Sequence, residues 1–381
     1  MAGIHLFVPM LHRRDAVGEH TRIVHALLLA AGVPSNIYAE HADPETSDET
    51  RPYLEYEKDA APGDLLVYQV ATRSDMVAWL ERRPERVVLN YHSITPAAFF
   101  RPWNNGIARM QELALVELAG LAPRSVLGIG VSEFDAAELR DLGCLVTQVV
   151  PVANVPASPV QPDPAVSEGL GRRKLGTGPW WLSVGRLAPN KAHQDTIAAL
   201  FLARSTDWPD AHLTIVGGPI ERNYAGALRR YAADLGLAGA VEFVTRLTPG
   251  QLASRYETAD VLVMLSEHEG FGVPLVEAMS HGLPIVAFDS GAIAETLGGA
   301  GVLLTEKGPR GVADAVGALL ADDGKRAALV AAGRTRISDL DLGHAGSHLV
   351  KVLREVADGE PTTPARPVAS GPLRPGRPSS H

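Results

Sequence analysis

The sequence predicts an α/β protein built from two parallel-sheet domains that face a central cleft. Its 381 residues exceed the usual length of a single domain, so two domains are expected. Short apolar runs alternate with helical patterns along residues 1–155 and again along 179–340, as in repeated βα units with right-handed crossovers. Residues 156–178 are rich in Pro, Ala, Gly and charged residues, which predicts an interdomain linker with room for one weak helix.

The first series predicts strands and helices in alternation. Its strand candidates are Ile4–Val8, Asn36–Ala39, Asp64–Gln69, Arg86–Tyr91, Val126–Val131 and Leu145–Val150. Its clearest helices are Ala16–Ala31, Ser74–Arg82, Ile107–Gly120 and Phe134–Leu142.

The second series repeats this pattern after the linker. Its strand candidates are Trp180–Val184, Leu213–Val216, Val241–Val244, Val261–Leu265, Pro284–Phe288 and Gly301–Leu304. Its helices are predicted at Gln194–Ala203, Tyr224–Leu235, Pro249–Thr258, Pro274–His281 and Arg310–Ala321. A last helix within 341–358 is expected to pack back on the first domain, and the Pro-rich stretch 359–381 is expected to be disordered.

Composition and charge exclude several classes of function. The net charge of −9 argues against duplex nucleic acid as a partner. The first 155 residues hold 13 Lys and Arg against 20 Asp and Glu, a net of −7, so at most weak peripheral contact with an anionic membrane is expected. A single cysteine permits no internal disulfide, and no signal peptide or bilayer-spanning run is evident. We therefore expect a cytoplasmic protein, with the inner face of the plasma membrane as a further possible location.

One stretch of the second series, Ser266 to Met279, predicts an anion site. It follows a buried strand, places two glycines around Phe271, and has Pro274 where a helix would begin. A glycine loop that leads into a helix presents free N–H groups and the positive end of the helix dipole. Glu269 and Glu277 lie near this point and are suited to binding sugar hydroxyls. The alternative is an ordinary turn with two solvated glutamates.

A second loop, residues 183–191, predicts a diphosphate site. It places Arg186 and Lys191 five residues apart between a strand and a helix. A guanidinium offers forked hydrogen bonds to phosphate, and an ammonium adds a point charge. The alternative is a solvated basic loop.

Together these motifs resemble the signature of family 4 glycosyltransferases, which are retaining enzymes with the GT-B fold of two Rossmann-like domains. The matching features are Gly185-Arg186 with Lys191, and two glutamates eight positions apart with Gly-Phe-Gly after the first. Asp289-Ser290-Gly291 resembles a further loop of the family. In the first half, residues 90–96 and 131–134 match more weakly. The resemblance covers about residues 1–355.

The resemblance implies roles for residues of the second domain. Arg186 and Lys191 would hold the donor diphosphate and stabilise the leaving nucleoside diphosphate, with Gly185 in the same loop. Glu277 would bind the ribose, and Glu269 would lie by the transferred sugar. Backbone N–H groups would contact the hydroxyls or phosphate of the donor; they belong to Gly270, Phe271 and Gly272.

In the first domain, the resemblance implies that His92 borders the donor sugar and the acceptor. Gly18 stands where relatives carry a phosphate-contacting glycine loop, although Val17 replaces the first of two glycines that relatives often have. Gln69 stands where some related chains carry a histidine. The aromatic side chains of Phe99, Phe100 and Trp103 are candidates for an acceptor pocket, with core packing as the alternative.

The implied reaction transfers a sugar from a nucleotide-sugar donor to a glycan, lipid-linked or small-molecule acceptor. Cations aimed at the leaving diphosphate would supply the main catalytic effect, so no cofactor and no metal is expected. Two alternatives stay open: another GT-B enzyme, such as a nucleotide-sugar epimerase or a phosphorylase-like enzyme, and a non-catalytic sugar-nucleotide-binding protein. The sequence does not choose the donor base, the sugar, the acceptor, the linkage or the oligomeric state.

Overall fold

The computed structural model describes residues 2–12, 15–153, 159–176 and 178–359. These residues form two parallel sheets, each covered by helices on both faces. The predicted tail lies, beyond Gly359, outside the described residues, and so does part of the predicted linker.

The first sheet is parallel throughout, and its described strands run in the order β3-β2-β1-β4-β5-β6-β7. Its strands are β1 (Ile4–Leu11), β2 (Ile37–Ala42), β3 (Arg51–Pro52), β4 (Leu65–Val70), β5 (Arg86–Tyr91), β6 (Leu127–Gly130) and β7 (Thr147–Val149). Its helices are α1 (Ala16–Ala30), α2 (Tyr56–Asp59), α3 (Met76–Leu80), α4 (Asn105–Leu121) and α5 (Glu133–Asp141). The side chains of Asp15, Asn104 and Ser132 cap the starts of α1, α4 and α5.

The second sheet is also parallel, and its described strands run in the order β10-β9-β8-β11-β12-β13. Its strands are β8 (Trp180–Val184), β9 (His212–Val216), β10 (Val241–Val244), β11 (Val261–Met264), β12 (Ile285–Phe288) and β13 (Val302–Leu304). The helices that follow the first domain are α6 (Pro164–Lys174), α7 (His193–Ser205), α8 (Arg222–Asp234), α9 (Pro249–Thr258), α10 (Val273–Ser280), α11 (Ile293–Leu297), α12 (Pro309–Ala321), α13 (Asp323–Leu340) and α14 (Leu342–Ala357).

The strand orders locate the ligand-binding edge of each sheet. The order reverses between β1 and β4 in the first sheet and between β8 and β11 in the second. Ligands of open α/β sheets bind at such switch points, beyond the carboxyl ends of the strands. The loops that follow β8 and β11 are the two that carry the predicted diphosphate and anion sites.

The linker contains the one weak helix for which the sequence left room, and the described residues add three helices that were not predicted, α2, α11 and α13. Residues 164–174 of the predicted linker form α6, which packs on α9; Ser254 Oγ donates to the carbonyl of Asp163 at 3.0 Å. Residues 323–340 form α13, which was missed because its sequence is mostly alanine and polar residues, with few buried positions. Asp322 ends α12 and is the N-cap of α13, where its side chain accepts from the N–H of Lys325 at 2.8 Å.

The last described helix, α14, lies against the first domain. Its apolar side packs on α1 and β1 through residues such as Leu349 and Leu353. Arg86, at the start of β5, donates to the carbonyl oxygens of Val356 and Ala357 at 2.5 and 2.6 Å. The chain therefore returns to the first domain after completing the second.

Candidate active site

The loop that follows β8 is held by a buried histidine. His193, at the start of α7, contacts the carbonyl of Arg186 through Nε2 at 3.3 Å and the hydroxyl of Ser183 through Nδ1 at 3.2 Å. Because a carbonyl only accepts, Nε2 carries the proton and Nδ1 accepts from Ser183. Burial lowers the pKa of His193 to about 4, so the ring is neutral near pH 7. The backbone of Arg186 is thus fixed while its side chain remains exposed.

The loop that follows β11 presents unoccupied backbone donors at the start of α10. Gly272 has a φ of 87°, a conformation that favours glycine, and serves as the N-cap. Among the described residues, no acceptor is found for the N–H groups of Gly270, Phe271 or Gly272. These donors and the dipole of α10 favour an anionic or hydroxyl-rich group at this point.

These two loops form one unit. Lys191 Nζ lies 2.5 Å from Glu269 Oε1, and both side chains are largely buried. Asn190 Nδ2 donates to the carbonyl of His268 at 3.1 Å, and the N–H of Glu267 donates to the carbonyl of Asn190 at 2.8 Å. The Lys191 ammonium is therefore positioned at the glycine loop by contacts on both sides of the switch point.

The loop after β12 supports this unit from behind. Ser290 Oγ donates to the carbonyl of Ser266 at 2.5 Å, and the N–H of Ala292 donates to the carbonyl of Glu269 at 2.9 Å. Gly291 has a φ of 54°, and a Cβ there would lie 2.4 Å from the Glu269 carbonyl oxygen. Only glycine allows this approach, so the Asp289-Ser290-Gly291 motif fixes the backbone of Glu269.

Glu277, one helical turn inside α10, is oriented by a tyrosine that the sequence did not reveal. The hydroxyl of Tyr256, in α9, donates to Glu277 Oε2 at 2.6 Å. Burial raises the pKa of the Glu277 carboxyl above its ordinary value. Oε2 is thus engaged by Tyr256, and no partner for Oε1 is found among the described residues. Tyr256 belongs to an ordinary amphipathic helix and to no recognisable motif.

The first domain contributes the opposite wall of the cleft. His92 follows β5, and the next residue, Ser93, contacts the second domain: its Oγ lies 3.3 Å from His268 Nε2. Ser93 Oγ also donates to Asp135 Oδ1 at 2.8 Å. A Cβ on Gly270 would lie 2.6 Å from Ser93 Cβ, so the glycine loop packs closely against this wall.

Asp135 and Glu295 are two carboxylates at the contact between the domains that sequence reasoning missed. Asp135 is fully buried, its Oδ2 has no partner among the described residues, and burial raises its pKa well above the usual range. Glu295, from α11 of the second domain, accepts from the N–H of Glu133 at 2.9 and 3.0 Å and from that of Phe134 at 3.4 Å. A carboxylate at a helix start stabilises that helix, so Glu295 ties α5 to the second domain.

Gly18 lies in the first turn of α1, beside the loop that enters the helix. Its N–H donates to Asp15 Oδ1 at 2.7 Å, and a Cβ there would lie 2.3 Å from the carbonyl oxygen of His12. The close approach explains the glycine, while the Asp15 cap already uses its N–H. Its contact with a donor phosphate stays a prediction.

The aromatic candidates for an acceptor pocket are packing residues in this structure. Phe100 is buried in a small cluster, against which Phe99 packs. Trp103 lies edge-on to Tyr224 of the second domain, with ring centroids 5.0 Å apart. These three side chains therefore fill space within and between the domains.

Two features are absent from the described part of the chain. No group of three or more His, Cys, Asp or Glu side chains there is arranged to hold a metal ion. None of the helices described is both long and apolar enough to cross a membrane.

The second domain is similar to known glycosyltransferases. The family model for glycosyl transferases group 1 matches residues 172–336. A GDP-mannose-dependent alpha-(1-6)-phosphatidylinositol monomannoside mannosyltransferase of Mycobacterium tuberculosis is 34% identical over 185 residues, which are 46% of this chain and 47% of that protein. A D-inositol 3-phosphate glycosyltransferase of Corynebacterium urealyticum is 38% identical over 156 residues, 38% of this chain and 36% of that protein. The chain therefore spans less than half the length of these curated relatives.

The likeness to solved structures extends over both domains. Sucrose-phosphate synthase from Thermosynechococcus elongatus superposes with a TM-score of 0.74, at 20% identity, over 94% of this chain and 100% of that chain. This likeness shows that the chain has the GT-B fold. Most of its second domain matches the family model for glycosyl transferases group 1 and is similar in sequence to the curated glycosyltransferases.

Proposed function

We propose that this protein is a retaining glycosyltransferase that transfers a sugar from a nucleotide-sugar donor to a hydroxyl acceptor. The observation that carries the proposal is the position of Lys191, whose ammonium lies at the glycine loop that opens α10. A cation and free N–H groups at one point suit a diphosphate. The named activities of the curated relatives support the same reaction class.

Each donor group has a proposed partner in the second domain. Lys191 and the exposed Arg186 bind the diphosphate. Glu277, held by Tyr256, offers one carboxylate oxygen to the ribose hydroxyls. Glu269 and the N–H groups that follow it contact the transferred sugar.

The proposed reaction breaks the bond between the anomeric carbon and the diphosphate oxygen. Negative charge builds on the departing diphosphate, and positive groups already aimed at that oxygen lower the barrier. The acceptor oxygen bonds to the anomeric carbon on the same face, and its proton passes to the departing diphosphate. The acceptor binds between the domains, on the side of His92.

A donor panel tests this proposal. UDP-, GDP- and ADP-linked sugars are incubated with candidate acceptors, and the products are analysed by chromatography and NMR of the anomeric centre. We expect one donor class to give a transferred sugar with retained configuration. Epimerised donor, phosphorolysis without a nucleotide, or binding without turnover of any donor would each contradict it.

A thermal-shift panel of nucleoside diphosphates identifies the donor base first. A ligand that binds only the folded protein raises its stability by about 2.7 kcal/mol at a hundredfold excess over Kd. The diphosphate with the largest shift then selects the donors for the transfer assay.

A further inference from the structure

Four polar side chains form a hydrogen-bonded chain beneath the first-domain wall. As the two amides are oriented in the structure, His20 Nε2 lies 2.8 Å from Asn90 Nδ2, and Asn90 Nδ2 lies 3.0 Å from Gln69 Oε1. Gln69 Oε1 lies 2.8 Å from His92 Nε2. The first three side chains are buried, and only His92 is partly exposed.

The proton position on His20 follows from its backbone partner. The N–H of Ala153 donates to His20 Nδ1 at 3.0 Å. A ring nitrogen that accepts an N–H carries no hydrogen, so Nε2 carries it. Burial lowers the pKa of His20 to about 4, which keeps the ring neutral near pH 7.

The orientation of both amides follows from His20. Its Nε2–H needs an acceptor, so Asn90 must present its oxygen; an amide's oxygen and nitrogen exchange by a half-turn. Because this oxygen also faces Gln69, Gln69 must present its NH₂ group. The opposite orientation would set the Asn90 NH₂ against the Nε2–H of His20, two donors at 2.8 Å.

His92 is the end of the chain. With both amides exchanged in this way, the NH₂ group of Gln69 donates one hydrogen to the Asn90 oxygen and the other to His92 Nε2. His92 Nε2 therefore accepts, and the neutral ring carries its proton on Nδ1. No acceptor for Nδ1 is found among the described residues, and the next residue, Ser93, contacts the second domain.

We propose that Gln69, Asn90 and His20 are positioning residues that fix His92 as a neutral ring with its proton on Nδ1, so that His92 acts in the cleft as a hydrogen-bond donor and not as a general base. The role in the cleft rests on the proposed function, whereas the proton position does not. With Nε2 engaged by Gln69, His92 has no free lone pair for an acceptor proton. A donor at Nδ1 suits an oxygen of the transferred sugar or of the acceptor.

The proton position is measured by long-range ¹H–¹⁵N NMR on protein labelled in its histidines, near pH 7. The signals of His92 are assigned by their loss in His92→Asn. We expect Nδ1 with the shift of a protonated ring nitrogen and Nε2 with that of an unprotonated one. A protonated Nε2, or protonation of both nitrogens, would overturn the proposal, and neither result depends on turnover.

Substitution of Gln69 tests the hydrogen-bonded chain from His20 to His92. Gln69→Glu replaces the donor with an acceptor, so His92 should move its proton to Nε2 and the two ¹⁵N shifts should exchange. Gln69→Leu removes the donor, so Nε2 becomes free and both tautomers should appear. Gln251→Leu, which alters a surface capping glutamine, is the control for loss of a glutamine hydrogen bond. If the ¹⁵N chemical shifts of His92 are unchanged in both Gln69 variants, the hydrogen-bonded chain does not fix its proton.

Kinetics of Gln69→Leu then test the role in the cleft. His20 is the histidine whose ring lies against His92, with centroids 5.0 Å apart, and it stays neutral in this variant. If His92 donates from Nδ1, loss of the fixed tautomer should lower kcat more than it raises KM. If the NMR result holds but kcat is unchanged, His92 keeps its tautomer without acting on the reaction.

Discussion

The two walls of the cleft are organised in different ways. The second-domain wall is charged and built from neighbouring loops, where Lys191 meets Glu269 and the start of α10. The first-domain wall is held by neutral groups from separate elements, which link α1, β4 and β5 beneath His92. A charged wall suits a diphosphate whose charge changes during the reaction, and a neutral wall suits uncharged sugar hydroxyls. Under the proposed function, the second domain lowers the barrier while the first orients the reacting groups.

The largest effect is expected from removing the cationic side chains of the second-domain wall. Lys191→Ala and Arg186→Ala should each lower kcat/KM by about 10²–10³-fold, by analogy with lost donors in other charge-stabilising sites. Steady-state kinetics with the preferred donor measures the effect.

Lys174→Ala is the matched control for the lysine. Lys174 Nζ lies 2.7 Å from Asp260 in the same domain, away from the glycine loop. Its loss should leave kcat/KM within about threefold. Near-normal turnover in both cleft variants would remove the electrostatic role of the second wall.

A methyl group at Gly270 tests whether the walls must close on each other. Its Cβ would lie 2.6 Å from Ser93 Cβ and 2.9 Å from Asp135 Oδ2. Gly270→Ala should therefore hold the walls apart and lower kcat by roughly 10²-fold, as expected for a misplacement of about 1 Å. Calorimetry should show that affinity for the nucleoside diphosphate falls far less.

Gly239→Ala, where a Cβ meets no atom within 4 Å, is the steric control. Equal losses of affinity and kcat in Gly270→Ala would mean that the substitution damages the donor site and not the closure.

The next effect concerns stability at low pH, to which one buried histidine from each wall should contribute. His20 and His193 both have pKa values of about 4 in the folded protein, below the ordinary 6.5, because burial disfavours their charged forms. In the unfolded chain these two rings therefore become protonated as the pH falls below 6.5, whereas in the folded chain they stay neutral until about pH 4. When the pH is lowered from 7 to 5, each of the two histidines should therefore reduce the free energy of unfolding by about 2 kcal/mol.

The measurement is urea unfolding at both pH values, for His20→Asn, His193→Gln and the parent protein. Each variant should lose less stability on acidification than the parent. His344→Asn is the control, because Asp341 raises the pKa of that exposed ring and its contribution has the opposite sign. If a buried substitution leaves the change in the free energy of unfolding with pH as it is in the parent protein, the histidine concerned is not held neutral by the fold.

The smallest effect is expected at Tyr256. Tyr256→Phe removes the hydroxyl that donates to Glu277 and should weaken nucleoside diphosphate binding by about 1 kcal/mol, or roughly fivefold. Glu277→Ala should weaken it further. Tyr224→Phe is the matched control, since its hydroxyl donates to Gln194 Oε1 at 2.6 Å. Equal effects of the two tyrosine variants on binding would remove the orienting role of Tyr256.

Sequence reasoning reached the second wall because its determinants are local. Consecutive glycines, prolines and charged residues determine the conformation and charge of the loops 185–191 and 266–277. Both loops lie at one switch point. Strand bounds such as Arg86–Tyr91 and Trp180–Val184 were also predicted correctly. Apolar runs bounded by polar residues specify strands that are buried on both faces.

The supporting residues were missed because their partners are distant in the chain. Tyr256 and Glu277 belong to different helices, and the His20 contact to Asn90 spans 70 positions. A buried amide or tyrosine leaves no periodic signal, since its role depends on what tertiary packing brings opposite it. Helix α13 was missed for the opposite reason, because it buries too little to show an apolar stripe.

The return of α14 to the first domain gives the molecule two covalent connections between its halves. One precedes α6, and the other turns at Asp341, whose φ of 46° joins α13 to α14. A cut in one connection leaves the halves joined through the other, because α14 stays packed on α1 and β1. A protease that cut only one of them would leave a nicked but tethered enzyme, so fragments on a denaturing gel would still elute as one particle from a sizing column.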